Sequence, residues 1–370
     1  MIAVRKLFQT GPLLVRCFTN IHSFFQNELR QSDRDRVNTL FDGIIGKDRR
    51  FLSEGITLIE SRSPRKQMQA NLLLSLLQDH LNIRDLSMRI GLSGPPGAGK
   101  STFIDSLGMH LVNQGHRVAV LAVDPSSQQT LGALLGDKTR MARLSKHPNA
   151  YIRPSPSSGT LGGVTATSHS AITLCEAAGY DVILVETVGA GQSDVAVSQI
   201  TDCFVLVLPP GGGDDLQGLK KGIMEMADII VVNKADGQLL PAARKLKSEY
   251  LAALKILKPK LSSWKPPSLL VSSKEDRGVD TVWGRVLEFW ELIGQDSWLE
   301  QKRGEQRINL MQSHLHQYLS ELITSSQLLQ EQTRRMSADV STSRLPPSAA
   351  AFNIVQWFLK YIESNNKLPS

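Results

Sequence analysis

The sequence predicts an α/β fold in which a mostly parallel central sheet is flanked by helices, with helical extensions at both ends. Three observations carry that expectation. Seven short apolar runs recur between residues 88 and 275, as expected for strands buried on both faces. The stretches between the runs read as helices, and parallel strands need such crossovers. The flanking segments, 26–87 and 276–370, lack these runs and read as helical.

In order, the predicted strands are MRIGLSG (88–94), RVAVLAVD (117–124), AYIRPS (150–155), YDVILVET (180–187), DCFVLVLPP (202–210), ADIIVVNK (227–234) and SLLVSSK (268–274). Upstream, Met68, Leu72, Leu73, Leu76 and Leu77 recur at helical spacing. Downstream, VDTVWGRVLEFWELI opens a helix after Gly278, and a polar-rich helical segment runs to about 330. TRRMSADVSTSRLPPSAA (333–350) reads as a loop, and a last helix is expected near 350–364. No internal repeat is evident.

Composition narrows the class. Of 370 residues, 41% are apolar, enough for a real core. No stretch approaches the roughly 18–20 apolar residues of a membrane span, so no membrane partner is expected. Cys17, Cys175 and Cys203 are far apart and form no CxxC pair. That argues against a disulfide framework or a zinc site and for a reducing compartment. The net charge of +7 is spread out, with no basic stripe interleaved with aromatics, so nucleic acid is not an expected partner. The N-terminus carries Arg5, Lys6 and Arg16, no acid before residue 28, and Phe8, Leu13, Leu14, Phe18, Phe24 and Phe25. It reads as a mitochondrial transit peptide over residues 1–25, addressed to the matrix; a docking tail is the plainer alternative. A secretory signal fits worse, because Arg16 breaks the apolar run.

The motif GPPGAGKST spans Gly94, Pro95, Pro96, Gly97, Ala98, Gly99, Lys100, Ser101 and Thr102, between a predicted strand and a predicted helix. It matches G-x-x-x-x-G-K-[ST]. The glycines let backbone N–H groups curl around phosphate oxygens, Lys100 reaches the β/γ-phosphates and the Ser101 hydroxyl ligates Mg²⁺. The helix N-terminus adds a favourable dipole. Downstream, Asn233, Lys234 and Asp236 form N-K-x-D at a strand end. Asp236 can accept from guanine N1–H and the 2-amino group, which adenine does not offer. Ser272, Ser273 and Lys274 follow the last strand, where such proteins close over the base. The expected ligands are therefore GTP or GDP with Mg²⁺.

Three acids are candidates for the metal and the chemistry. Glu186 ends the strand expected beside the phosphate-loop strand, and its longer arm can hold Mg²⁺ directly or through water. Asp124 ends another strand, and Asp137 sits on a polar segment. Lys100, Asp137 and Glu186 are the candidate catalytic groups; Ser101, Asp124 and Glu186 are the candidate metal ligands. The plain alternative for each acid is a strand-end or capping role.

The motifs LAVDPSS, LLGDKTRM, AYIRPSP, GTLGGVT, VETVGAGQS and GGGDDLQGLKKGI, with the two above, resemble the family of the methylmalonic aciduria type A protein and bacterial MeaB. The resemblance covers about 50–290, and GDKTRM and RPSP…GTLGG are not general phosphate-loop features. It implies a metallocentre-chaperone GTPase, a class with Glu where other GTPases carry Asp. It implies a homodimer, with 276–370 as the dimerisation region, a GTPase domain over 88–275 and a helical region over 26–87. It also implies a partner, methylmalonyl-CoA mutase, whose adenosylcobalamin loading is gated by GTP hydrolysis. By position, the resemblance puts Asp124, Asp137 and Glu186 on the Mg²⁺ and switch acids and 209–222 on a switch that senses the mutase. Leu131, Ala133 and Ala166 depart from the family pattern, the last removing a positive charge from a loop near the site.

Two other classes fit the motifs less well. A nickel-delivering GTPase tends to carry His or Cys clusters, whereas only His314 and His316 form a close pair here, and i,i+2 residues do not share a helix face. A small-molecule kinase needs a second-substrate site, and Asp236 favours GTP over ATP.

Overall fold

The computed structural model describes residues 29–61, 63–81, 87–124, 141–156, 161–187, 192–211, 221–255 and 260–365. The chain opens with α1 (Gln31–Ile45), α2 (Arg49–Ile59) and α3 (Pro64–His80). Then come β1 (Met88–Ser93), α4 (Lys100–Asn113), β2 (Val118–Asp124), β3 (Ala150–Pro156) and α5 (Leu161–Ala177). They are followed by β4 (Val182–Thr187), α6 (Gln192–Ser198), β5 (Cys203–Leu208), α7 (Lys221–Met226) and β6 (Ile229–Val232). The order closes with α8 (Leu240–Leu254), β7 (Ser268–Leu270), α9 (Val279–Gly294), α10 (Trp298–Ser325), α11 (Gln327–Ser341) and α12 (Pro347–Asn365).

All seven predicted runs coincide with a strand, and every pairing in the sheet is parallel. Four runs, 88–94, 202–210, 227–234 and 268–274, extend past the C-terminal ends of their strands, for a physical reason. Pro209 has no N–H to give a ladder. Asn233 and Ser272 instead turn their side chains to loops, and Ser272 pairs across a tight turn with Arg277. The strand order is β3-β2-β4-β1-β5-β6-β7. From central β1 the chain moves to one side of the sheet and later returns to the other, so the C-terminal edge of β1 is a topological switch point, where ligands of open α/β sheets bind.

The core lies where the sheet meets α4 and α9: Ile90, Leu92, Val120, Leu184, Val205 and Val231 pack with Phe103, Leu107 and Phe289. α1–α3 cover α5: an added Cβ on Gly55 of α2 would stand 2.9 Å from Leu174 Cδ2. Arg153 of β3 reaches the same helices, donating to Glu60 at 2.7 Å and Ser53 Oγ at 3.0 Å.

A buried ion network ties β1 to more distant chain. Arg89 forks onto Glu176 of α5 at 2.7 and 2.9 Å, and its backbone N–H donates to Asp202 at 2.9 Å. Arg303 of α10 forks onto the same Asp202 at 2.9 and 2.6 Å. Burial pushes the Asp202 carboxyl up, but Arg303, Arg89 and Lys302 more than offset this and hold it below the usual carboxylate range.

The chain forms two compact units, 1–307 and 308–370. The second contains the end of α10 with α11 and α12. Here the expected loop at 333–350 is corrected: α11 runs to Ser341 and α12 starts at Pro347, leaving only 342–346 outside helix. Ser326 caps α11 by accepting from Leu329 N, and Pro347 takes the first turn of α12, where its missing N–H costs nothing. Polar composition alone does not unmake a helix built from Gln, Glu, Arg, Met and Ala. Among the described residues, no helix is long and apolar enough to cross a membrane.

Candidate functional site

β1 delivers the chain to the switch point, and residues 94–99 turn back into α4. Gly94 passes so close to β5 that an added Cβ would lie 1.9 Å from Val207 O. Gly99 caps α4 with φ 84, a left-handed conformation that glycine adopts without strain. No side chain caps this helix, so its first backbone N–H groups point at the loop's mouth, as an anion site requires.

Lys100 lies buried across the loop and donates to Gly94 O at 2.6 Å and Pro95 O at 3.2 Å. Burial lowers its ammonium below the usual lysine range, while the charges of Glu186 and Asp194 pull the other way. Ser101 Oγ donates to Glu186 Oε1 at 2.9 Å. Glu186 is 8% exposed and stands opposite Leu92 in the β1–β4 register. A serine hydroxyl and a carboxylate in contact form an all-oxygen donor pair of the kind that suits a hard divalent cation such as Mg²⁺. Asp124 closes β2 at the same edge of the sheet, beyond β4. Asp137, Leu131, Ala133 and most of 209–222 lie outside the described residues. Ala166 is a correction: it is buried within α5 and is not on a loop.

On the other flank, β6 ends at Val232 and the chain enters Asn233–Asp236. The Asn233 side chain, 1% exposed, is engaged at both ends. Its amide N–H groups donate to Ala98 O at 3.0 Å and Gly99 O at 3.2 Å, and its Oδ1 accepts from Ser273 Oγ at 2.6 Å and Ser273 N at 3.2 Å. Asn233 thus braces the phosphate loop against the turn after β7. Lys234 adopts φ 56, its stem lies 3.7 Å from a Cβ added at Gly99, and it is exposed. Asp236 is half-buried and accepts from Ser272 Oγ at 2.5 Å. Lys274 is exposed on the same turn. The structure thus gathers 94–102, Glu186, 233–236 and 272–274 on one edge of the sheet.

The model of the family "Methylmalonyl Co-A mutase-associated GTPase MeaB" matches residues 52–327. The chain belongs to the MeaB family of GTPases. The mouse protein "Methylmalonic aciduria type A homolog, mitochondrial" is 46% identical over 336 residues, covering 88% of this chain and 81% of that protein. The GTPase ArgK of Escherichia coli K12 is 41% identical over 300 residues, 81% of this chain and 90% of that protein. A crystal structure named as a LAO/AO transport system kinase superposes with a TM-score of 0.68 at 32% identity, covering 89% of this chain and 98% of that one. This MeaB-family chain is therefore a GTPase with the phosphate-loop fold.

Two acids of this GTPase escaped the sequence reading. Asp194, buried in the first turn of α6, accepts from Thr187 Oγ1 at 2.5 Å and lends its charge to the Lys100 environment. Its place in VETVGAGQSD, eight residues past Glu186, was visible, but in sequence it is indistinguishable from a helix-start acid. Asp276 follows the serine pair on the turn after β7, and its partners come from elements far away in sequence.

Proposed function

We propose that this GTPase acts on methylmalonyl-CoA mutase as a chaperone: it gates loading of adenosylcobalamin and protects or reactivates the mutase, with GTP hydrolysis as the switch. The observation that carries the reading is the Ser101–Glu186 pair, a glutamate at the strand end beside the phosphate loop, in a chain whose family model is named for association with that mutase. Lys100 and the N–H groups opening α4 bind the β- and γ-phosphates, and Asp236 reads guanine. Ser101 and Glu186, with Asp124, hold Mg²⁺, which when bound neutralises charge developing on the phosphates. Asp137 completes the switch acids. The mitochondrial name of the mouse relative and the acid-free leader support action in the mitochondrial matrix.

The working form is a homodimer. In α10, Ile308, Met311, Leu315, Leu319 and Ile323 are 47–62% exposed at spacings of three and four, a stripe that suits a second helix.

The test is transfer of adenosylcobalamin to cofactor-free mutase, followed by its absorbance, in the presence of GTP or a non-hydrolysable analogue. Loading that depends on which nucleotide is present supports gating; identical loading with either, and with none, contradicts it. The kinase name of the solved relative favours one second reading, phosphoryl transfer to a small acceptor. Stoichiometric release of free phosphate from GTP in the presence of candidate acceptors rejects it.

A further inference from the structure

The turn that follows β7 is not held only by its own chain. Its ends pair through Ser272 and Arg277, whose backbone groups exchange hydrogen bonds at 3.0 and 3.1 Å. Immediately before Arg277, Asp276 sits at φ 52, a left-handed conformation that a non-glycine residue adopts only with support. Three contacts supply it. Arg143 Nη1 donates to Asp276 Oδ2 at 2.7 Å and Nη2 donates to Oδ1 at 3.1 Å, a two-pronged grip, while Ser106 Oγ of α4 also donates to Oδ1. The same guanidinium donates through Nε to Asp105 of α4 at 2.7 Å, and Asp105 in turn accepts from Leu144 N at 2.9 Å. Asp105 is buried, so Arg143 is anchored on a fixed carboxylate and reaches out to a more exposed one. The Arg143 hydrogen bonds hold the Asp276 carboxyl below the usual carboxylate range, as expected for a carboxylate kept ionised in this grip.

The path continues to the base side. The turn that Asp276 shapes presents Ser272, whose hydroxyl donates to Asp236 at 2.5 Å and accepts from Glu275 N at 3.3 Å. Asp236 is thus oriented by a serine, the serine by the turn, and the turn by Arg143.

We propose that Arg143 is a specificity-determining positioning residue: by clamping the 272–277 turn to α4 it holds Ser272 on Asp236 and so sets the preference for guanine. The inference rests on Asp236 as the guanine-reading acid. Lysine cannot replace this clamp, because a point charge cannot span two carboxylates with a planar fork.

The experiment compares GDP with IDP, which lacks the 2-amino group, by displacement of a fluorescent nucleotide from the full chain. The variants are Arg143→Ala, Arg143→Lys, Asp276→Asn and Arg143→Ala with Asp276→Asn, with Asp236→Asn as reference. Loosening Asp236 lowers GDP affinity by about tenfold, whereas IDP, which keeps N1–H but offers no 2-amino group, loses only about threefold. Arg143→Ala is expected to show that pattern, with a raised KM and near-normal kcat for GTP. Arg143→Lys should not rescue it, Asp276→Asn should reproduce it, and the double variant should be no worse than either single. Parallel loss of GDP and IDP would mark a merely structural role and overturn the proposal. So would a GDP-to-IDP ratio that stays at the wild-type value in both Arg143→Ala and Asp276→Asn while Asp236→Asn collapses it. If Asp236→Asn also leaves the ratio untouched, the reading of Asp236 falls, and the proposal with it.

Discussion

The Ser101 hydroxyl donates to Glu186 Oε1 at 2.9 Å, joining the first turn of α4 to the end of β4. The register explains the longer acid. Glu186 lies level with Leu92, one strand away from the loop and two residues short of Gly94. A carboxylate starting there must reach across to α4, and glutamate has one more methylene than aspartate with which to do it. Glu186→Asp is therefore expected to retain GTP binding and to lower kcat, and Glu186→Ala to lower it further. Removing one electrostatic group of this kind costs about 2.7–4 kcal/mol, a factor of about 10²–10³ in kcat. Single-turnover phosphate release at saturating GTP and Mg²⁺ checks this; wild-type turnover in Glu186→Ala removes the acid from the mechanism.

Lys100→Ala should abolish tight nucleotide binding. Its ammonium is held on the Gly94 and Pro95 carbonyls, at the mouth of the loop. Gly94→Ala should do the same by a different route, because its Cβ would meet the Val207 carbonyl. Calorimetric titration with GDP checks the loss of binding, and thermal unfolding separates the two: Lys100→Ala retains the wild-type unfolding temperature, whereas Gly94→Ala lowers it.

The Asp202 network makes a pH prediction. Asp202 has a depressed folded pKa, so its stabilisation is present above the unfolded value of about 3.9 and is lost as pH falls through the lower folded value. Asp202→Asn leaves buried Arg303 with only the longer 3.9 Å approach to Glu176 as an ion pair and is expected to destabilise by about 3–5 kcal/mol at neutral pH. In urea unfolding, the gap between wild type and variant should narrow once pH drops below about 4. A gap independent of pH would show that the charge of Asp202 is not what stabilises.

The proposed dimer makes a surface prediction. Leu315 is 55% exposed in the α10 stripe. Leu315→Glu should weaken self-association by at least about 2 kcal/mol, roughly thirtyfold, without lowering the unfolding temperature. Sedimentation equilibrium measures it; an unchanged mass would place the interface elsewhere.

The sheet was legible because buried parallel strands are written as uninterrupted apolar runs, and YDVILVET contains β4 almost to the residue. The phosphate loop was legible because its backbone path demands glycine, which leaves a mark in sequence. What was not legible depends on distance. Asn233 sits in a motif associated with guanine, yet its amide spans Ala98 and Ser273, 135 and 40 residues away. No local pattern signals such a brace. Arg143 and Asp276 are separated by 133 residues and look like ordinary surface charges until the fold brings them together. The C-terminal helices were misread in part because serine and threonine between 337 and 343 suggested a loop, while the surrounding helix formers and the Ser326 cap prevailed.

The proposed function requires that GTP hydrolysis be coupled to methylmalonyl-CoA mutase. Phosphate release from GTP, measured with and without purified mutase and with ATP as the control nucleotide, tests it most directly. The expected result is slow basal hydrolysis of GTP, little or none of ATP, and a GTP rate that rises on adding mutase and saturates with its concentration. A GTP rate that mutase leaves unchanged at every concentration would contradict it.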